Sequence, residues 1–460
     1  ERGILKKITI VGGGPAGYAA ALYASHFNLD VTLIEADGIG GTCLNRGCIP
    51  AKHWLHVAEV NRELNKADEL GINVKKISND WNKTFNKRKE VVGQLTGGLT
   101  SLLKAKKVKI IEGWGSVVDD KTISVKKPDG EEERVQSDYI LLGTGSEPKT
   151  LPGIEYDNEY IISSDEALDW VKPPKKVCIV GAGAIGCEFA SFLVDLDSET
   201  TVVELEKEIL PGMDKRTAGE LRKQLSKRGV NFKLGTSITN IDKDKRIVTF
   251  SDDSMEEFDS VLISIGRNPL TENIGLEEVG VQRNNGFVKV NLDSFQTSVP
   301  NIYAAGDIVE GTPQLAHVGF AEGIAAITHI ATGQKADINY DAIPYVVYTS
   351  PELAEVGINT ENAKEKDIKI SNAQHSFAGL GRAIIQDQNN GVVRVFYEED
   401  GPIVGASVCG PAAGEVIHEL MYMVGWEVLP KEAADFIHAH PTLSEAVGEA
   451  LMSASGRGLH

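Results

Sequence analysis

Cysteine is scarce in this chain, with five in 460 residues, too few for the disulfide framework of a small secreted domain. Cys178, Cys187 and Cys409 are scattered in apolar surroundings, where buried, inert thiols are expected. A structural zinc site needs about four Cys or His ligands grouped in close pairs. No such grouping occurs, so no metal is expected: His53 and His56 stand near the other two cysteines, but on a stretch, 52–61, that reads as helix. Long apolar runs are also lacking. None approaches the ~20 residues that cross a bilayer, so no membrane span is expected. Positive charge is in deficit. The net charge of -19 argues against a nucleic-acid surface, which needs clustered Lys and Arg, and is compatible with a basic protein partner. The densest basic cluster, Lys104-Ala105-Lys106-Lys107, reads as a solvated helix end. The remaining composition, 42% hydrophobic and 25% charged, is that of a globular protein. A chain of 460 residues exceeds one ordinary core, so two to four domains are expected. The first residue is Glu1 rather than Met, which leaves open a tag, a trimmed start or a removed transit peptide.

Glycine patterning is strong. Ile8–Val11 reads as a strand and runs into Gly12-Gly13-Gly14-Pro15-Ala16-Gly17, and acidic Glu35 closes a second apolar strand, Val31–Ile34. Glycines there permit a tight turn and close approach of backbone to a pyrophosphate at the next helix N-terminus. An acid at the end of the second strand can accept hydrogen bonds from a ribose. The unit occurs twice. Val177–Val180 leads into Gly181-Ala182-Gly183-Ala184-Ile185-Gly186, and Thr201–Val203 leads to Glu204. First glycine to acid is 23 residues in both (12 to 35, 181 to 204). One such glycine run is weak evidence; two at equal spacing, each between strand and helix, point to two dinucleotide sites. Glu204 is followed by Leu205, Glu206, Lys207 and Glu208, with none of the arginines that would meet a 2′-phosphate, so the second site suits NAD.

Just past the first unit comes Gly41-Thr42-Cys43-Leu44-Asn45-Arg46-Gly47-Cys48-Ile49-Pro50. Two cysteines at this place form a dithiol able to exchange electrons with whatever the unit holds, and a redox enzyme is expected.

Each unit has an echo downstream. Tyr139–Leu142 runs into Gly143-Thr144-Gly145, and Val261–Ile265 into Gly266-Arg267. Both precede a proline, Pro148 and Pro269, where the chain is expected to cross between domains. A strand at Asn301–Ala305 ends at Gly306-Asp307, which suggests that the second nucleotide domain is inserted in the first. Beyond residue 337 strands such as Gly391–Tyr397 and Ile403–Val408 mix with helices at Gly414–Gly425 and Thr442–Ser455, with no glycine fingerprint. The expected fold is α/β: two Rossmann-like dinucleotide-binding domains, 1–148 with 268–336 and 149–267, the second inserted in the first, then a C-terminal α+β domain, 337–460.

Together these features resemble the flavoprotein disulfide reductases, and among them those that oxidise protein-bound dihydrolipoamide with NAD. The resemblance covers nearly the whole chain, through Gly12–Gly17, Cys43–Lys52, Gly143-Thr144-Gly145-Ser146, Gly181–Gly186, Ile265-Gly266-Arg267-Asn268-Pro269, Ala305-Gly306-Asp307, Gln314-Leu315-Ala316-His317 and His438-Ala439-His440-Pro441-Thr442-Leu443-Ser444-Glu445. The redox run and the closing motif are the specific ones. Two departures stand out. Ala51 replaces the small hydroxyl residue usual before Lys52, and the C-terminus, Leu459-His460, lacks the paired cysteines of mercuric reductases.

The resemblance implies roles. Cys43 exchanges with substrate and Cys48 faces the flavin; His440 takes the thiol proton, since imidazole titrates near neutral pH, and Glu445 orients it. Glu445 also suits a capping box, with Thr442 at the N-cap, and the two roles can coexist. His438, with no such partner in the sequence, reads as structural. Lys52 and Glu188 form a pair beside the flavin's reactive nitrogen. FAD would be held by Gly12, Gly14, Pro15, Ala16, Gly17, Glu35, Gly41, Thr42, Lys52, Gly115, Thr144, Gly145, Ser146, Asp307, Gln314, Leu315, Ala316 and His317. NAD would be held by Gly181, Gly183, Ala184, Ile185, Gly186, Glu204, Ile238, Gly266 and Arg267. The implied partners are dihydrolipoyl groups on an acyltransferase or carrier protein, and a second copy of the chain through residues 337–460. A bacterial cytoplasm is the implied compartment, with an organelle matrix left open. Three alternatives stand beside this reading: an NADPH-dependent reductase of a small disulfide, a pyridine-nucleotide transhydrogenase, and a flavin-bearing scaffold subunit. Glu204 and the closing motif oppose the first, the cysteine pair the second, and a complete electron path the third.

Overall fold

The computed structural model describes residues 6–459; Glu1 and His460 lie outside them. It divides into two compact units.

The first unit holds residues up to Pro50 together with Asn82–Lys149 and Gly266–Ile338. Its centre is a five-stranded parallel sheet in the order Ile302–Ala304, Tyr139–Leu142, Lys7–Val11, Asp30–Glu35, Lys109–Glu112. Ile8, Ile10, Leu33, Ile34 and Ile140 to Leu142 are all buried, because a parallel sheet covered on both faces needs apolar side chains on each. The helix Pro15–Tyr23 packs on Ala316–Thr332. Small residues let the two backbones meet: a Cβ on Gly323 would fall 2.2 Å from the Ala16 carbonyl oxygen, and one on Gly319 3.4 Å from the Ala16 amide nitrogen.

The second unit holds Ala51–Trp81, Thr150–Ile265 and the chain from Asn339 onward. Its parallel sheet runs Asn231–Leu234, Glu199–Glu204, Lys176–Val180, Ser260–Ile263, Ile161–Ile162. Counted from the strand before each glycine loop, both sheets share the order 3-2-1-4; the strand beyond the fourth, Ile302–Ala304 in the first sheet, comes last in the chain, whereas its counterpart Ile161–Ile162 precedes the second glycine loop. The repeat goes further than its glycines. Each carries a three-stranded antiparallel sheet between its third and fourth strands, Trp114–Gln136 in one and Ile238–Glu257 in the other. The strand Ile302–Ala304 pairs with Tyr139–Leu142 after the whole second sheet has been traversed, so the second Rossmann-like sheet is inserted in the first. The C-terminal part is α+β. Its antiparallel sheet orders Tyr345–Val347, Glu352–Gly357, Ile403–Gly410, Val392–Tyr397, Ser371–Ser376, with Ala413–Gly425 and Glu445–Ala454 packed on it. Among the described residues no helix is long and apolar enough to cross a membrane.

Candidate active site

Both glycine loops are built alike. Gly12 and Gly181 have φ of +105° and +99°, a region that side chains with a Cβ rarely enter. A Cβ on Gly17 or Gly186 would strike the Gly12 or Gly181 carbonyl oxygen at 1.8 or 2.0 Å. The helices that follow, Pro15–Tyr23 and Ala184–Asp195, have Gly14 and Gly183 at their N-caps, with no side-chain cap and no acid in the first turn. Their first N–H groups therefore lack side-chain acceptors and suit an anion.

The two acids are built alike too. Glu35 accepts the Gly13 amide (2.5 Å) and the Asp37 amide (2.7 Å), and Glu204 accepts the Ala182 amide (2.8 Å) and the Glu206 amide (3.0 Å). Each carboxylate braces its own glycine loop, and retains acceptor capacity for a ribose because its oxygens offer about four lone-pair sites.

Downstream of the first loop, Thr144 donates to the Leu270 carbonyl (2.6 Å), and the Gly145 carbonyl accepts the Leu270 amide (2.9 Å). Ser146 donates to Asp307 Oδ2 (2.5 Å) and accepts from Arg267 Nε (2.7 Å). Gln314 Nε2 donates to the Asp307 carbonyl (3.1 Å), and Leu315 caps the helix that Ala316 and His317 begin. Gly115 lies on Trp114–Asp119, where a Cβ would crowd Val11 at 2.9 Å. Gly41 and Thr42 open the short helix Gly41–Arg46. Of the residues expected around NAD, Ile238 starts a strand of the second unit. Gly266 and Arg267 belong to the first unit, where the Arg267 guanidinium holds both Oγ and the carbonyl of Ser146.

Cys43 lies on Gly41–Arg46, and Cys48 begins Cys48–Asn65 after a corner at Gly47. Both are half-buried. Burial pushes the Tyr18 phenol well above its ordinary value, and the charges of Cys43 and Cys48 add to that, so Tyr18 lies within electrostatic reach of both sulfurs. Burial likewise pushes the Cys178, Cys187 and Cys409 thiols up and keeps them inert. Among the described residues no three of His, Cys, Asp and Glu are grouped as a metal ion would need.

In the second unit Lys52 Nζ sits 3.1 and 3.0 Å from the two carboxylate oxygens of buried Glu188. Lys52 follows Cys48 by one turn of the same helix, so both side chains lie along one face. At the other end of the chain, His440 Nδ1 is 2.8 Å from Glu445 Oε1, while Glu445 Oε2 accepts the Thr442 amide at 2.8 Å. That amide and then His440 hold the Glu445 carboxyl below its ordinary range. The final helix starts at Glu445, not at Thr442, and Ser444 is its N-cap. The capping box does not form, because Thr442 Oγ1 donates to the Ala439 carbonyl instead. Orientation of His440 and capture of an amide do coexist, one on each oxygen. His438 also has a partner that the sequence conceals: its Nε2 is 3.1 Å from Glu419 Oε2, and that hydrogen bond raises the imidazole's affinity for a proton. Tyr348 is the other residue that sequence reasoning missed, with its ring centroid 4.3 Å from Lys52 Nζ. Its partners come from segments far apart in the chain, and no local spacing announces them.

A Rossmann-like sheet with an uncapped glycine-loop helix and a Cys-x4-Cys run directly downstream defines a flavin- and nucleotide-dependent disulfide oxidoreductase. The description of the pyridine nucleotide-disulphide oxidoreductases matches residues 6–323, and that of their dimerisation domain matches 343–451. The chain belongs to this family. It is 37% identical to a dihydrolipoyl dehydrogenase of Bacillus subtilis (98% of this chain, 99% of the relative) and 36% identical to a mitochondrial one of Pisum sativum (98% and 92%). The crystal structure of LpdA from Mycobacterium tuberculosis superposes with a TM-score of 0.90 at 29% identity, covering 98% of this chain and 99% of that one.

Proposed function

We propose that the chain is a dihydrolipoyl dehydrogenase, oxidising protein-bound dihydrolipoamide and reducing NAD+ to NADH through FAD. The Cys43–Cys48 run carries this reading, set just past the strand–helix–strand unit whose glycine-loop helix has no side-chain cap. Gly12 to Gly17, Glu35, Ser146 and Asp307 would hold FAD, and Gly181 to Gly186 with Glu204 would hold NAD. When bound, FAD accepts an electron pair from the cysteine dithiol and delivers it to NAD+.

The chain's own residues carry the thiol chemistry. One substrate thiolate attacks Cys43 Sγ, forming a mixed disulfide and releasing Cys48 as thiolate. The second substrate thiolate displaces Cys43, closing the lipoamide disulfide and leaving two reduced cysteines. His440 takes the thiol protons, kept in register by Glu445. The domain division is that of the sequence: 1–148 with 268–336 for FAD, 149–267 for NAD, and 337–460 for association. The working form is a homodimer in which the disulfide of one subunit meets His440 of the partner subunit. Phe436 and Ile437, 77% and 98% exposed beside His438, support association at that loop, because side chains so apolar are costly in water. The substrates are dihydrolipoyl groups on an acyltransferase or carrier protein, met in the cytoplasm of a bacterial cell. Reductive titration with dithionite tests the reading. Two electrons per FAD are expected to produce long-wavelength absorbance from a thiolate beside oxidised flavin. A plain bleach of the flavin would contradict it.

A further inference from the structure

The Lys52 ammonium is held from two directions. Glu188, 7% exposed, takes it on both carboxylate oxygens, and the face of the Tyr348 ring covers it at 4.3 Å. The same Glu188 Oε1 accepts the backbone N–H of Tyr348 at 3.0 Å. Lysine, carboxylate and aromatic ring therefore form a closed triangle. A lysine on a four-carbon stem paired with one carboxylate retains several rotamers. Here other carboxylates are close at hand, since Glu59 and Glu352 line the same cavity as Lys52. A ring face attracts a cation through its quadrupole and adds a second hold on the ammonium beside that of Glu188. The ring is in the right state for this. Burial pushes the phenol above its ordinary value, against the opposing pull of Lys52, so it stays neutral at neutral pH.

We propose that Tyr348 is a positioning residue for the redox reaction: its ring face and backbone N–H fix the Lys52–Glu188 pair so that the ammonium stands where reduced, anionic flavin needs a cation. This rests on the reading of Lys52 as the residue beside the flavin. The aromatic face does the work and the hydroxyl does not.

The test is the two-electron midpoint potential of the flavin in the FAD-loaded enzyme, with the visible spectrum of the oxidised flavin recorded alongside. Lys52→Met sets the scale and lowers the potential, because a cation favouring the reduced ring is lost. Tyr348→Leu is expected to shift potential and spectrum in the same direction by a smaller amount, and Tyr348→Phe to restore both. Pentafluorophenylalanine at position 348 keeps the shape and reverses the quadrupole, so it is expected to behave like Tyr348→Leu even where the leucine variant folds poorly. A potential unmoved by leucine and by the fluorinated ring, while Lys52→Met moves it, would overturn the role of Tyr348. A potential unmoved by Lys52→Met would overturn the placing of Lys52 itself, and this inference with it.

Discussion

Glu445 serves His440 with one carboxylate oxygen, at 2.8 Å from Nδ1, and is itself fixed through the other by the Thr442 amide at 2.8 Å. One imidazole nitrogen, Nδ1, is thus committed to Glu445, and in the proposed function the other, Nε2, faces the substrate thiol. His440 is 78% exposed in the single chain, as a base reaching toward a second subunit would be.

Replacing Glu445 by Gln keeps the shape but removes the charge that steadies a protonated imidazole. The expected loss in kcat for dihydrolipoamide is about 10- to 100-fold, by analogy with the partners that orient a metal-bound histidine. NADH-to-dye activity, which does not use the histidine, should be retained. Steady-state assays with both substrates check this; equal losses in both would assign Glu445 to folding alone.

Cys48→Ser and His440→Ala should each abolish lipoamide turnover while FAD stays bound. Mixed under conditions that exchange subunits, the two inactive proteins should regain activity, because a heterodimer contains one intact combination. No recovery, with exchange confirmed by mass spectrometry, would place His440 at the disulfide of its own chain or nowhere near one.

Glu204→Arg removes a ribose acceptor and also the brace on the Ala182 amide. A charged hydrogen-bonding group left unmatched costs about 1–3 kcal/mol, so NADH should bind at least ~5-fold more weakly, while NADPH gains a partner for its phosphate. Michaelis constants for both nucleotides check this; an unchanged preference would reduce Glu204 to a loop brace.

The Rossmann-like repeats were legible because their determinants are local: Gly12 with Glu35 and Gly181 with Glu204 each lie within one strand–helix–strand unit. His440 and Glu445 were legible for the same reason, five residues apart. Tyr348 with Lys52 and His438 with Glu419 were not, because tertiary packing alone brings those pairs together. The start of the last helix was misjudged where Thr442 had a nearer acceptor, the Ala439 carbonyl, than the capping pattern supposes.

Glu355 is a buried acid through which stability is expected to depend on pH. It is 6% exposed and accepts the Asp214 amide at 3.0 Å as well as the Asn359 side chain. Burial first, opposed by these hydrogen bonds and that of Ser407 and reinforced by the Asp214 charge, raises its carboxyl from 4.5 to about 7. Nearby Asp214 is itself paired with Arg394 at 2.5 Å. A raised carboxyl contributes stability that is full below about 4.5 and lost as pH rises through about 7. Glu355→Gln should therefore gain on the wild type across that window, by up to on the order of 3 kcal/mol. Melting temperatures of both proteins at pH 5 and pH 8 check the sign; a difference that does not grow with pH would mean Glu355 is ionised throughout.

Electron transfer from a dihydrolipoyl dithiol to NAD+ is checked by a paired assay on the purified FAD enzyme. Rates with NADH and lipoamide are set against rates with NADPH and glutathione disulfide at equal enzyme. Rapid turnover is expected in the first pair and almost none in the second. Turnover in the second with none in the first would contradict it.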